Sequence, residues 1–342
     1  MTRIGLLVNP TAGRGRAAGV GRVALEQLRA AGHDVVDLTA SDGGAAAGSA
    51  REFLLGGGTG DDLALVAVGG DGVVNLAANA ILAHAPHVPL GLVPAGTGDD
   101  TARALGLPRR DPVAAVARLL AALARPPQVV DVGVVGRAGE GGDGDAEDGG
   151  VAPPHRRYFV GVLSAGIDAA VNARANRLRW PRGPLRYVVA LAVELAGFRG
   201  FAIRVVADGA DAGGAGTLVA VANTRSIGGG MRIAPDASWT DGLLEVVTAR
   251  TIPRRTLAVI FPRVYAGTHV GHPVVQVTRA SEVLLLRGES TSTGAGTGRA
   301  GGRRRPPAPA PSCTPTASRS GTCRCGCASW RERCGCSPRV EP

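Results

Sequence analysis

Three glycine-rich stretches bring carboxylates and hydroxyls to places where backbone amides are also free to bind. They are Asn9-Pro10-Thr11-Ala12-Gly13, Gly69-Gly70-Asp71-Gly72-Val73-Val74-Asn75, and Gly96-Thr97-Gly98-Asp99-Asp100-Thr101-Ala102-Arg103. Glycine lets a backbone approach a ligand without a Cβ in the way, and the start of a following helix aims N–H groups at an anion. Asp71 beside such amides would repel a bare phosphate, so its presence calls for a bound cation or a hydroxyl partner. Each loop also has a structural reading, with Asp71, Asp99 and Asp100 as helix-start charges. Gly13-x-Gly15-x-x-Ala18 further matches the dinucleotide fingerprint, with Asp34 or Asp37 near the distance of a ribose contact. A nicotinamide-dinucleotide enzyme or NAD kinase-like protein is therefore one reading of the chain.

The surrounding pattern says what must hold these loops. Short apolar runs at 4–8, 34–38, 63–68 and 89–93 alternate with helical periodicity at 16–31, 45–55, 73–83 and 112–124. Strands alternating with helices predict parallel strands and crossover helices, a Rossmann-like α/β domain over residues 1–126. All three loops then lie at the carboxyl edge of the sheet, where open α/β sheets bind ligands. From residue 127 to 287 the pattern is β-rich, with strands expected at 129–135, 158–163, 201–207, 217–223, 243–248 and 274–278 and helices near 168–175 and 184–196. This predicts a second, sandwich-like domain. The acidic, glycine-rich stretch 138–154 lacks the calcium-loop spacing and reads as a solvated hairpin loop.

Charge and composition exclude several classes. The chain of 342 residues has a net charge of +10 and no lysine, which excludes a Walker A phosphate loop and any lysine-dependent mechanism. Ten arginines and three glutamates in residues 287–342 supply +7 of that charge, so the body is nearly neutral and no nucleic-acid partner is expected. No apolar run approaches the ~20 residues of a membrane span, and the strand-like run at 4–8 leaves no room for a signal peptide. A cytoplasmic protein is expected. All six cysteines fall between 313 and 336, in spacings unlike structural zinc knuckles.

Taken in order, the motifs resemble the soluble diacylglycerol kinase-like lipid kinases, which share a catalytic fold with sphingosine and ceramide kinases. The resemblance covers residues 3 to about 286. It rests on Asn9-Pro10-x-x-Gly13, Gly69-Gly70-Asp71-Gly72, Gly96-Thr97-Gly98-Asp99-Asp100-x-Ala102-Arg103, Val130-Asp131-Val132-Gly133, Ala165-Gly166-Ile167-Asp168-Ala169, and Gly228-Gly229-Gly230 with Ala234-Pro235-x-Ala237-x-x-x-Asp241-Gly242-x-Leu244. It implies ATP- and magnesium-dependent phosphorylation of a lipid hydroxyl at a membrane surface, with the second domain serving the lipid. It also implies nucleotide contacts at Asn9, Gly13, Thr39, Gly69 to Asn75, Gly96 and Thr97. A structural Mg2+ would be held by Asp241 with the carbonyls of Ser238 and Leu243. Asp71, Asp100 and Asp131 would form a carboxylate network organising the catalytic metal. The basic series Arg174, Arg177, Arg179, Arg182 and Arg186, with Trp180 inside it, could meet an anionic membrane or form a solvated face.

The chain departs from the family at several points. Val73 stands at a usual threonine, Leu76 at a common glutamate and Asp99 at a common asparagine. The carboxyl-terminal Asp-Gly-Glu, which supplies the family's general base, is missing, so a catalytically impaired nucleotide- or lipid-binding protein is a second reading. Residues 288–342 read as a low-complexity tail, expected to be disordered at 303–311 or out of frame. In the frame formed by each codon's third base and the next codon's first two, every cysteine codon yields only leucine, valine or methionine. Positions 323, 325 and 327 then become alternating apolar residues, and residues 315–318 can read Asp-Gly-Glu.

Overall fold

In the computed structural model the described residues are 1–40, 42–57, 62–137, 156–166, 202–287 and 323–328, together with scattered positions between 171 and 194. The first unit is a parallel sheet wound on both faces. Strands β1 (Arg3–Val8), β2 (Asp34–Asp37), β3 (Leu63–Gly69) and β4 (Leu90–Pro94) lie in the order β2-β1-β3-β4. The connecting helices are α1 (Arg16–Ala30), α2 (Gly43–Gly56) and α3 (Asp71–His84), followed by α4 (Asp100–Ala104) and α5 (Pro112–Leu123).

Period-two alternation along the central strands divides the core into two layers. Leu63, Leu65 and Ala67 of β3 pack with Phe53 of α2 and Ala77 and Ile81 of α3. Ala64, Val66 and Val68 of the same strand face Ala17, Ala24 and Leu28 of α1 and Val116 of α5. Both faces of β3 are covered, so all seven of its residues are buried. The chain winds outward from β1 to β2 and then crosses back to β3, which puts the topological switch point between β1 and β3. The first two glycine loops flank that point, at the carboxyl edge where the sequence predicts them.

The second unit contains two antiparallel sheets. Strands β5 (Val132–Arg137), β6 (Arg157–Phe159), β7 (Val162–Gly166), β8 (Ile203–Ala207), β9 (Ala210–Ala215), β10 (Leu218–Ala222) and β11 (Leu244–Ala249) precede helix α6 (Arg254–Ala266). After it come β12 (Val275–Ala280), β13 (Glu282–Arg287) and β14 (Cys323–Ala328). Among the described residues the sheets have the orders β12-β11-β10-β7 and β6-β5-β14-β13-β8-β9. Val219 and Val221 of β10 and Leu244 and Val246 of β11 meet Phe159, Val205 and Val283 of the other sheet in a shared apolar layer. That is the sandwich the sequence predicts.

Several elements differ from expectation. The run 158–163, read as one strand, divides at Val160–Gly161 into β6 and β7, which belong to different sheets. Hydrophobicity conceals this break because an apolar run does not mark which sheet each half joins. Strand β9, helix α6 and strand β13 were not expected; α6 carries Pro262 in its interior, and β9 contains Gly213 and Gly214. The acidic stretch 138–154 and the segment 303–311 lie outside the described residues, as do most positions of the helices expected at 168–175 and 184–196. Within the tail, β14 pairs antiparallel with β5 on one side and β13 on the other.

Candidate functional site

The carboxyl ends of β1, β3 and β4 deliver the three loops to one place, and glycines let them close on each other. Gly13 has φ +57°, and a Cβ there would overlap the Ala95 carbonyl oxygen. Gly70 and Gly96 approach so closely that a Cβ on Gly96 would overlap Gly70 Cα. Ala95 N–H donates to Gly69 O at 2.9 Å, which fastens the second loop to the third.

Asp71, the first residue of α3, reaches across to the start of α4. Its Oδ1 accepts from Thr101 N–H at 2.8 Å and Thr101 Oγ1 at 2.9 Å, and its Oδ2 accepts from Asp100 N–H at 3.1 Å. One carboxylate therefore satisfies amides at the start of another helix, an N-cap supplied from outside that helix. Asp100 turns the other way. Its Oδ2 accepts from Gly229 N–H at 2.7 Å and its Oδ1 faces Arg103 Nε at 3.5 Å, so it joins the loop at 228–230 in the second unit. A Cβ built on Gly98 would stand 3.3 Å from Asp71 Oδ2 and 3.6 Å from Asp100 Oδ2. The absent side chain lets the third loop approach both carboxylates and the Gly229 backbone.

Asp131 has its own partners. Its Oδ2 accepts from Gly242 N–H at 2.7 Å, its own N–H donates to Trp239 O at 2.6 Å, and its carbonyl accepts from the buried Asn223 amide at 2.8 Å. These bonds join Asp131 to the turn at 238–243, whereas Asp71 and Asp100 are joined to one another. In that turn Asp241 Oδ1 accepts from Leu243 N–H at 3.1 Å, and the Ser238 and Thr240 hydroxyls lie 3.1 Å apart. Among the described residues no group of three or more His, Cys, Asp or Glu is arranged to hold a metal ion. The set expected here has one carboxylate and two carbonyls. It consists of hard oxygen ligands on one short turn, and its donor chemistry fits magnesium.

The other nucleotide-loop residues divide by exposure. Asn9, Asn75 and Thr97 are exposed at the rim, whereas Val73 and Val74 are buried in the core layer beneath it. Contact with a ligand at those two valines would have to come from backbone, and the N–H groups of both already donate to Gly70 O. Asn9 Oδ1 accepts from Thr11 N–H and Oγ1, and the Thr39 hydroxyl donates to Asp37 Oδ1 at 2.6 Å. Asp34 starts β2 rather than ending it and pairs with Arg3, which puts it at the wrong edge for a ribose contact.

Arg16 was missed in the sequence, and Asp99, read there as a helix-start charge, is buried. Arg16 Nη2 donates to Gly96 O at 2.9 Å and lies 3.9 Å from Asp99 Oδ2, tying α1 to the third loop. Asp99, at φ +52° and only 5% exposed, accepts from Gly96 N–H at 2.9 Å. Burial raises its pKa, with the nearby Asp71 carboxylate adding to the rise and the Gly96 amide and Arg16 opposing it. An arginine 80 residues from its partner Gly96 gives no local signal, because the bond forms only once α1 packs onto the sheet.

The solved structure of a diacylglycerol kinase from Bacillus anthracis str. Sterne has the same fold, with a TM-score of 0.55 at 19% identity over 84% of this chain and 86% of that one. Residues 3–134 match the diacylglycerol kinase catalytic domain, and residues 161–318 match the YegS C-terminal NAD kinase beta sandwich-like domain. Similarity extends to the diacylglycerol kinase of Mycobacterium tuberculosis, 36% identical over 82% of this chain and 84% of that protein. The diacylglycerol kinase of Bacillus subtilis is 26% identical over 83% and 85%. The chain belongs to the diacylglycerol kinase-like family of lipid kinases.

Proposed function

We propose that this protein transfers the γ-phosphoryl group of ATP to the hydroxyl of diacylglycerol or a chemically similar lipid. The observation that carries the reading is the convergence of the three loops on one sheet edge, Gly13 against Ala95 and Gly70 against Gly96, with the Asp71 and Asp100 carboxylates both beside Gly98. Phosphoryl transfer depends on positioning and on neutralising developing charge, and this arrangement suits both. Asn9, Gly13, Thr39, Gly69, Gly70, Asp71, Gly72, Asn75, Gly96 and Thr97 line the nucleotide side, with Val73 and Val74 packed beneath them. Asp71 and Asp100 orient the reacting end.

Magnesium, when bound, would neutralise phosphate charge and brace the second unit. Asp241, with the carbonyls of Ser238 and Leu243, would hold a structural ion, and Asp131 steadies that turn through Gly242 N–H. Lipid reaches the site from a membrane surface. Trp180, 80% exposed, together with Arg177, forms the contact, whereas Arg174 is paired with Glu194. Among the described residues no helix is long and apolar enough to cross a membrane.

A second reading, an impaired kinase that binds nucleotide without turnover, is favoured by the missing Asp-Gly-Glu. Sequencing the gene across codons 280–342 separates the two. A gained or lost base restores the general base, and the product should phosphorylate diacylglycerol in mixed micelles. A frame that stands as printed, with ATP binding and no turnover, overturns the kinase reading.

A further inference from the structure

Helix α3 carries Asp71 at its first turn and, eight residues on, Asn79. The Asn79 side chain makes a two-point contact with the second unit: Nδ2 donates to Tyr158 O at 2.9 Å, and Tyr158 N–H donates to Oδ1 at 2.9 Å. Nδ2 also donates to Asn75 O at 2.7 Å, one turn back on the helix. Tyr158 lies in β6, the outer strand of its sheet, opposite Val134. In an antiparallel pair, N–H and C=O of a given residue point to the same side, alternately toward and away from the neighbouring strand. At Tyr158 both groups meet Asn79, so the side-chain amide occupies the place of one residue of a further strand and closes the β6 edge.

We propose that Asn79 is a positioning residue that fixes how the second unit sits on the helix bearing Asp71. The two units have a second attachment, where Asp100 accepts from Gly229 N–H and the Arg103 guanidinium lies against Gly230. A single attachment leaves a pivot, whereas two set an orientation. Asn79 is about 12 Å along the helix axis from Asp71, far enough to act as a lever on the reacting end. A displacement of ~1 Å at the reacting atoms lowers turnover by roughly 100-fold. ATP is held by loops of the first unit, so the loss of Asn79 separates nucleotide binding from transfer to lipid. This inference rests on the lipid kinase reading and on the second unit presenting the acceptor.

The test uses the full chain as Asn79→Ala and Asn79→Gln. Alanine is the better helix former, so α3 is not weakened by the substitution itself. Glutamine carries the same amide one methylene further out. For Asn79→Ala the expected result is affinity for a fluorescent ATP analogue within twofold of wild type, with transfer to dioctanoylglycerol in mixed micelles reduced roughly 10- to 100-fold. Asn79→Gln should recover part of that loss. Hydrogen exchange should quicken at the Tyr158 amide in Asn79→Ala and stay unchanged in β3. Equal losses of ATP affinity and transfer, wild-type transfer in Asn79→Ala, or unchanged exchange at Tyr158 would each overturn the proposal. If the wild type binds ATP and phosphorylates no dioctanoylglycerol, the kinase reading fails by itself, and exchange at Tyr158 still decides the contact.

Discussion

Replacing Asp71 with asparagine keeps the shape of the side chain and removes its charge, which tests both tasks the structure gives it. The amide retains the two bonds to Thr101 if its oxygen faces that residue, but its NH2 group then opposes Asp100 N–H, which now lies 3.1 Å from a carboxylate oxygen. A charge-assisted hydrogen bond is lost, worth about 1.5–3 kcal/mol. The start of α4 loses a negative charge as well, worth about 0.3–1 kcal/mol. Relief of the repulsion between Asp71 and Asp99 returns a small part. The net cost is about 2–3 kcal/mol, against a stability of about 5–15 kcal/mol for a typical protein, so the variant folds at 25 °C. Urea unfolding should show that loss, and ATP-dependent phosphorylation of diacylglycerol should fall by roughly 100-fold or more. Thr101→Val is the comparison: it removes one bond to the same carboxylate, costs about 1 kcal/mol and spares far more turnover. Full activity in Asp71→Asn would refute the catalytic role. Equal activity losses in the two variants at equal folded fraction would reduce Asp71 to a helix cap.

Other outcomes follow from the same geometry. Gly13→Ala puts a Cβ onto the Ala95 carbonyl oxygen at a left-handed backbone position, so the first loop must part from the third. A stability loss of at least ~2 kcal/mol and weakened ATP-analogue binding are expected, and unchanged binding would detach Gly13 from the nucleotide site. Asp99 has a folded-state pKa above its unfolded value, so its contribution favours folding most at low pH and is lost as pH rises from the ordinary aspartate range through the raised value. Asp99→Asn removes that loss and suits φ +52°, so its stability gain over wild type should grow with pH across this window in urea titrations. A gain that shrank with pH would contradict the assignment. For membrane contact, Trp180→Ala should weaken binding to vesicles containing anionic lipid, and equal wild-type binding to anionic and neutral vesicles would remove the electrostatic part of the idea.

The motifs settled more than the periodicity did. Spacing alone put three glycine loops after three strands, and the doubly wound sheet brings those loops together at its carboxyl edge. The strands read at 217–223 and 243–248 form, and the fold turns Val219, Val221, Leu244 and Val246 inward. The division of 158–163 between two sheets was not legible, because an unbroken apolar run carries no mark of which sheet each half joins. Helix α6 escaped notice as well, with Pro262 inside it and a polar, arginine-rich start.

By itself the sequence determined the alternation of strands and helices in the first unit, the edge at which chemistry must occur and the family. These follow from local spacing and from residue types whose backbone freedom or charge is intrinsic. Only the tertiary structure decided which carboxylate serves which amide: Asp71 the start of α4, Asp100 the loop at Gly229, Asp131 the turn at Gly242. The same is true of Arg16 against Gly96 and Asn79 against Tyr158, pairs separated by 80 and 79 residues. A hydrogen bond is set by distance and direction in space. Along a chain that is folded back on itself many times, sequence separation carries no information about either.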